Sequence, residues 1–193
     1  MSRRVYLAGP EVFLADFGKP IFDAKKRICE RHGLAGVSPM DGELDVARLA
    51  PFEQGIAIYR GNVQHMRSSD AVIANMTPFR GVGMDGGTAF EMGYMRALDR
   101  PVLGYSNVVR PFSERSERYY ALGHHLGVDP YTAGTSIERF GMADNLMMAG
   151  AVDESGFQII CTEVAAGHEL DDLTGFEQCC DMLAGWWSEE RGR

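Results

Sequence analysis

Asp85-Gly86-Gly87-Thr88-Ala89-Phe90-Glu91-Met92-Gly93-Tyr94 is the segment whose residue types and spacing point to chemistry. Asp85 ends a glycine-rich loop, where the chain bends tightly and backbone amides stay open to a ligand. Glu91 follows about one and a half helical turns later. Its neighbours Ala89, Phe90, Met92 and Gly93 are an odd setting for a carboxylate. A buried charge is costly unless it has a partner or a purpose. A place in the early turns of a helix favours the ionised form, because the positive end of the helix dipole is close. Read as chemistry, this is a carboxylate nucleophile with a second carboxylate beside it. Retaining glycosyl transfer needs such a pair: one attacks the anomeric carbon, and the other handles the leaving group. The same spacing also suits a purely structural arrangement, with Asp85 as an N-terminal cap and Glu91 salt-bridged to a buried arginine.

Short apolar runs alternate with longer amphipathic ones up to residue 106, and these must position the two acids. Arg4–Ala8 reads as a buried strand closed by Gly9-Pro10. Pro20–His32 reads as a helix, with Pro20 in its first turn and Gly33 as its C-terminal cap. Leu34–Ser38 is a short strand stopped by Pro39. Over Pro51–Arg67, the residues Phe52, Ile56, Tyr59, Val63 and Met66 mark one helical face. Asp70–Met76 is the clearest buried strand, and Thr77–Gly87 a Gly/Pro loop. Thr88–Asp99 is helical and apolar on most sides, so heavy burial is expected; Pro101–Tyr105 is the next strand. Such alternation means right-handed crossovers and a parallel sheet. Ligands then sit at the carboxyl ends of strands, which selects the loops after Ala8, after Met76 and after Tyr105. Further on, Pro111–Tyr120 is a charged helix candidate, and Gly156–Thr162 a last strand. Leu173, Phe176, Cys180, Leu183 and Trp187 keep helical spacing, as core packing or as a subunit contact.

Composition bounds the possibilities. A chain of 193 residues with 45% hydrophobic and 24% charged content suits one globular domain and excludes wholesale disorder. The net charge of -8, without a Lys/Arg run, argues against a duplex nucleic-acid binder but leaves a nucleoside or nucleotide open. No apolar run approaches the roughly 20 residues that span a bilayer. Val5–Ala8 is too short for a signal peptide's apolar core, so the expected location is the cytoplasm, with no membrane partner. Cys29 and Cys161 are isolated and Cys179-Cys180 adjacent, which indicates neither a zinc ribbon nor a thioredoxin-type site. His65, His124 and His125 lack partners at ligand spacing and read as surface or packing residues; no metal is expected. Gly81-x-Gly83 and Gly86-Gly87 have no Walker lysine, and no GxGxxG is present. Arg80 beside that loop either neutralises an anion or is simply solvated.

Four segments together resemble the nucleoside 2-deoxyribosyltransferase family: Tyr6-Leu7-Ala8-Gly9-Pro10, Ser69 to Ala74, Asp85 to Tyr94, and Asp144-Asn145-Leu146-Met147. The resemblance covers about residues 4–150 of a chain we read as one domain over 1–193, with 151–193 as a strand and helix extension. It implies an α/β fold, a flavodoxin-like or Rossmann-like three-layer sandwich with a five-stranded, mostly parallel sheet. It implies transfer of a 2-deoxyribosyl group between nucleobases through a covalent sugar–glutamate intermediate, without a cofactor. By motif, Glu91 resembles the nucleophile, Asp85 the aspartate that contacts the sugar or assists the leaving base, and Tyr6 the tyrosine that restrains the nucleophile. Gly9 and Gly87 fall in the substrate-binding loops, and Phe13 where the family places an aromatic against the base; a core phenylalanine is the alternative. Asn145 and Met147 match the Asn-x-Met element that reaches a neighbouring subunit's site, which implies a homo-oligomer. Asn62 stands where family members with a pyrimidine-competent site carry an aspartate. A carboxamide donates and accepts at once, so base preference and the leaving-group acid are both open; a solvent-facing Asn62 is the bland alternative.

Two other functions compete. One is an N-glycoside hydrolase on (deoxy)nucleoside 5'-monophosphates, because Gly86 to Glu91 is partly similar to the Gly-Gly-x-Gly-Thr-x-x-Glu loop of phosphoribohydrolases. The acidic Gly9-Pro10-Glu11-Val12-Phe13 loop is expected to repel such a phosphate. The other is a non-catalytic nucleoside-binding module, since fold alone does not decide function.

Overall fold

The structure is a computed structural model and describes residues 2–42, 45–122 and 136–191. Five strands form the sheet: β1 (Arg3–Ala8), β2 (Leu34–Val37), β3 (Ala71–Asn75), β4 (Val102–Ser106) and β5 (Ile160–Cys161). Their order is β2-β1-β3-β4-β5, and every pairing is parallel. β3 and β4 are buried along their whole length, and β1 from Val5 onward. A sheet covered on both faces needs no polar alternation, which is why these strands read as continuous apolar runs. Only two residues of the expected Gly156–Thr162 strand pair, against Tyr105 and Ser106.

Among the described residues six α-helices accompany the sheet: α1 (Lys19–Arg31), α2 (Pro51–Arg67), α3 (Gly86–Ala97), α4 (Phe112–Ala121), α5 (Leu146–Asp153) and α6 (Thr174–Arg191). α1 packs with α6 on one face, and α3 packs with α2 and α5 on the other. α1 ends where Gly33 turns left-handed at φ +73, its N–H donating to the Glu30 carbonyl at 3.0 Å. The stripe of α6 is core: Phe176, Cys180, Leu183 and Trp187 are all buried.

The heavy burial expected of α3 is not found, and α2 is largely exposed as well. On α2 only Met66 is buried, and Phe52 and Tyr59 are exposed by 79% and 50%. On α3 only Thr88, Met92 and Met95 are buried, while Phe90 is exposed by 48%. One helix face suffices to cover the sheet; Val63 and Tyr94 pack partly buried against the core, and Phe52, Ile58, Tyr59 and Phe90 stay outside within this chain. Tyr59, Phe90 and Tyr94 contact one another there, at centroid distances of 6.0 and 5.9 Å. No helix among the described residues is long and apolar enough to cross a membrane.

Candidate active site

The strand order reverses its direction of growth between β1 and β3, and the chain leaves those two strands toward opposite sides. A crevice opens there at the carboxyl ends. It is a cavity of about 640 Å³. Gly9, Val12, Phe13 and Phe17 line it from the segment after β1, and Pro39 to Gly42 from the loop after β2. Ile58, Gly61, Asn62 and His65 come from α2, and Asp85, Gly87, Thr88 and Glu91 from the start of α3. The loop after Tyr105 does not line it; the loop after β2 takes that place. α2 crosses over β1 on its way from β2 to β3, so the crevice is walled on the β2 side.

Asp85 caps α3: its Oδ2 accepts from the Thr88 N–H at 2.9 Å and from Thr88 Oγ1 at 3.1 Å. The capping role and the place in the cavity therefore coexist. Glu91 differs from its structural alternative. Among the described residues no arginine pairs with it; its Oε1 accepts from the Tyr6 hydroxyl at 2.6 Å. Tyr6 stands on β1, fully buried, and aims its hydroxyl at α3. Burial pushes the Glu91 carboxyl up from 4.5 to about 7; the Tyr6 hydrogen bond pulls it down, and the charges of Asp85 and Glu11 push it up again. Desolvation thus outweighs the helix dipole, contrary to the expectation from position alone. Burial and the Glu91 carboxylate hold the Tyr6 hydroxyl far above its ordinary range, so it remains a donor.

Gly9 allows the first loop to fold back. A Cβ there would collide with the Glu11 carboxylate and lie 3.0 Å from Asn75 Cβ. Gly87 faces the cap, where a Cβ would meet Asp85 Oδ2 at 3.0 Å. Phe13 is no core side chain. It is half-exposed, stacks on Phe79 at 5.4 Å and 16°, and lies under the Arg80 guanidinium at 4.4 Å. Arg80 also covers Phe79 at 4.7 Å, so it braces the aromatic wall rather than standing solvated alone. Asn62 faces the cavity, not open solvent.

Asn145 and Met147 do not line this cavity. Asn145 caps α5, accepting from the Met147 N–H at 3.0 Å and donating to Glu138 Oε1 at 2.6 Å. Met147 is exposed by 65%. The preceding Asp144 accepts from the Met84 N–H at 3.0 Å and pairs with Arg115 at 3.3 Å, tying this segment to the loop before Asp85. The structure thus brings together Glu91, Tyr6, Asp85, Gly9, Gly87, Phe13 and Asn62, and leaves Asn145 and Met147 outside. His124 and His125 lie outside the described residues.

Sequence reasoning missed two features. His65 was read as surface or packing, yet it lines the cavity. Glu11 was read as charge facing the ligand, yet it is fully buried and paired with Lys25 at 2.5 Å. Glu11 Oε1 also accepts from Asn75 Nδ2 at 2.8 Å and Tyr105 Oη at 3.3 Å. The signal was available: Lys25 falls on the same helical face as Phe22, Ile28 and Cys29. Among the described residues no group of three or more His, Cys, Asp or Glu is placed to hold a metal ion.

Comparison with known proteins places this arrangement. The family profile described as nucleoside 2-deoxyribosyltransferase matches residues 5–147. The chain belongs to that family, and its class is that of a transferase. A 2-deoxyribosyltransferase structure from Leishmania mexicana is similar at 32% identity and a TM-score of 0.57, over 76% of this chain and 85% of that one. An uncharacterized protein of Schizosaccharomyces pombe is 34% identical over 165 residues, which is 79% of this chain and 78% of that protein.

Proposed function

We propose that this protein moves a 2-deoxyribosyl group between nucleobases by double displacement on Glu91. The observation that carries the reading is a glutamate with no cationic partner among the described residues, held by Tyr6 at 2.6 Å and open to a cavity of about 640 Å³. A Glu91 oxygen attacks the anomeric carbon as the first base leaves with the bond's electron pair. The second base then attacks the same carbon from the face the first one left, and the carboxylate is released. Two inversions retain configuration. Tyr6 orients the nucleophile, and Asp85 contacts the sugar or the leaving base at the mouth of α3. Gly9 and Gly87 let the backbone approach the substrate, while Phe13 and Asn62 receive the base. No cofactor takes part. The mostly apolar wall limits water, favouring a base over hydroxide as acceptor.

The competing reading is hydrolysis of a 5'-monophosphate. Glu11 no longer argues against it, because its charge is turned inward onto Lys25. The lining does argue against it: among the described residues no Lys or Arg faces the cavity. A phosphate there would meet Asp85 and Glu91, with no Lys or Arg in the lining to balance them.

Asn145 and Met147 acting in a neighbouring subunit's site would make the working unit a homo-oligomer. Support comes from their place outside their own chain's cavity and from the exposure of Met147.

The test is to incubate deoxyinosine with adenine and measure deoxyadenosine. A 2-fluoro-2-deoxy nucleoside should label the peptide that contains Glu91, and Glu91→Ala should lower transfer by about 10⁴-fold or more. Turnover of only the monophosphate, or unchanged exchange by Glu91→Ala, would reject the proposal.

A further inference from the structure

Departure of a nucleobase needs a proton as well as a nucleophile. Four titratable side chains line the cavity among the described residues: Asp41, His65, Asp85 and Glu91. Glu91 is assigned to the sugar. Asp85 Oδ2 accepts two bonds from Thr88, and its other oxygen is assigned to the sugar or the leaving base as a contact, not as the proton donor. Both Asp41 oxygens are engaged: one pairs with Lys26 and the other accepts from the Ser38 N–H at 3.0 Å. Asn62 carries no acidic proton. His65 is left.

Its geometry suits the task. His65 lies one helical turn beyond Asn62, and both project from α2 into the same space. Its Nε2 is 2.8 Å from the Asp41 carbonyl oxygen. A carbonyl only accepts, so Nε2 carries a hydrogen in the neutral ring as well as in the cation. Nδ1 is therefore the atom that gains and loses a proton. Nδ1 has no hydrogen-bond partner among the described residues, and it is not among the buried unpaired atoms, which are Glu11 Oε2, Arg96 Nε, Arg100 Nε and Asn107 Oδ1. It is therefore not fully buried, and it belongs to a cavity-lining ring whose other nitrogen is anchored.

Resting on the transferase reading, we infer that His65 is the general acid and base for a purine, exchanging a proton between its Nδ1 and the purine N7. In the first half-reaction the imidazolium gives its Nδ1 proton to N7 while the C1'–N9 bond breaks. The electron pair of that bond goes to N9, and a Glu91 oxygen forms the new bond to C1'. In the second half the neutral imidazole takes the N7 proton of the incoming base while its N9 attacks C1'. The ester bond's pair returns to Glu91, and the imidazolium is regenerated. Atoms and charge balance without a co-reactant. An imidazole is the side chain suited to both roles near neutral pH.

The test compares deoxyguanosine with 7-methyl-2'-deoxyguanosine, both with adenine as acceptor. The second substrate is already cationic, and its base leaves without an added proton. His65→Ala should lower kcat/KM for deoxyguanosine by about 100-fold or more, and change the first half-reaction of the methylated substrate by less than about three-fold, read as release of 7-methylguanine in a single turnover. His65→Gln keeps a donor for the Asp41 carbonyl but has no titratable nitrogen, and should show the same split. Free imidazole should partly restore the Ala variant. Equal losses on both substrates, or no loss on either, would overturn the role of His65 while leaving the transferase reading intact. Wild-type protein that exchanges neither substrate but does exchange pyrimidine deoxynucleosides would overturn this inference alone; wild-type protein that exchanges no deoxynucleoside would overturn the transferase reading with it.

Discussion

Glu91 is where burial and chemistry meet. Its carboxyl sits near 7 because desolvation disfavours the charge. Only the ionised form attacks a sugar, so the first half-reaction of 7-methyl-2'-deoxyguanosine, which needs no added proton, should rise with pH through about 7 and level above it. Tyr6 lowers this value by its hydrogen bond. Tyr6→Phe should therefore move the acidic limb upward by about one pH unit, read from kcat/KM profiles. Stability has the opposite sign. The folded value, about 7, lies above the ordinary 4.5, so the contribution is complete below 4.5 and is lost as pH rises through 7. Glu91→Gln should then unfold about 1–3 kcal/mol less readily than wild type at pH 8, with the gain gone at pH 4. Urea titrations at the two pH values check it; an equal difference at both would refute the assignment. In the proposed mechanism, the ionised carboxylate that transfer requires is the form that burial disfavours.

At the level of elements, the loop after β1 is the part that most needs holding. Gly9, Val12 and Phe13 face the cavity from it, and Asp16 and Phe17 adopt φ of 52°, a left-handed conformation that ordinary residues avoid. Glu11 anchors it from below, bonded to Lys25 of α1, Asn75 of β3 and Tyr105 of β4. Lys25 lies over the rings of Phe22, Tyr105 and Phe176 at 5.2 to 5.7 Å. Burial, then the Glu11 charge, holds the Tyr105 hydroxyl well above its ordinary range, so it stays a donor. Breaking such a pair strands a charge in the interior. Lys25→Ala should cost about 3–5 kcal/mol, and Lys25→Met with Glu11→Leu should recover much of it, measured by denaturant unfolding. If the single change costs under about 1 kcal/mol, the pair is not the anchor described.

At the scale of the whole molecule, the cavity takes no side chain from α5, and an aromatic patch around Tyr59, Phe90 and Tyr94 faces outward. If Met147 completes a neighbour's site, two inactive proteins should rescue each other. Mixing equal amounts of Glu91→Ala and Met147→Ala subunits, dissociated and reassembled, should restore up to about a quarter of wild-type activity, the share that random dimer pairing gives. Activity no greater than the sum of the separate variants would refute sharing. The strands, the helices from Lys19 to Arg67, and the pairing of Asp85 with Glu91 were legible in the sequence, because apolar period, caps and breakers are local signals read within about ten residues. Strand order was not local, and with it went the choice between the loops after β2 and after β4. Lys25 on the apolar face of α1 is a local sign that a buried acid must meet it, but neither Glu11 as that acid nor His65 as a cavity wall could be read from neighbours in the chain. Each acquires its role from groups brought alongside by folding: Lys25 and Asn75 for one, the Asp41 carbonyl and the crevice beside β1 for the other. Whether a charge is paired, and what a ring nitrogen faces, are properties of distance in space, and the linear order of residues does not carry them.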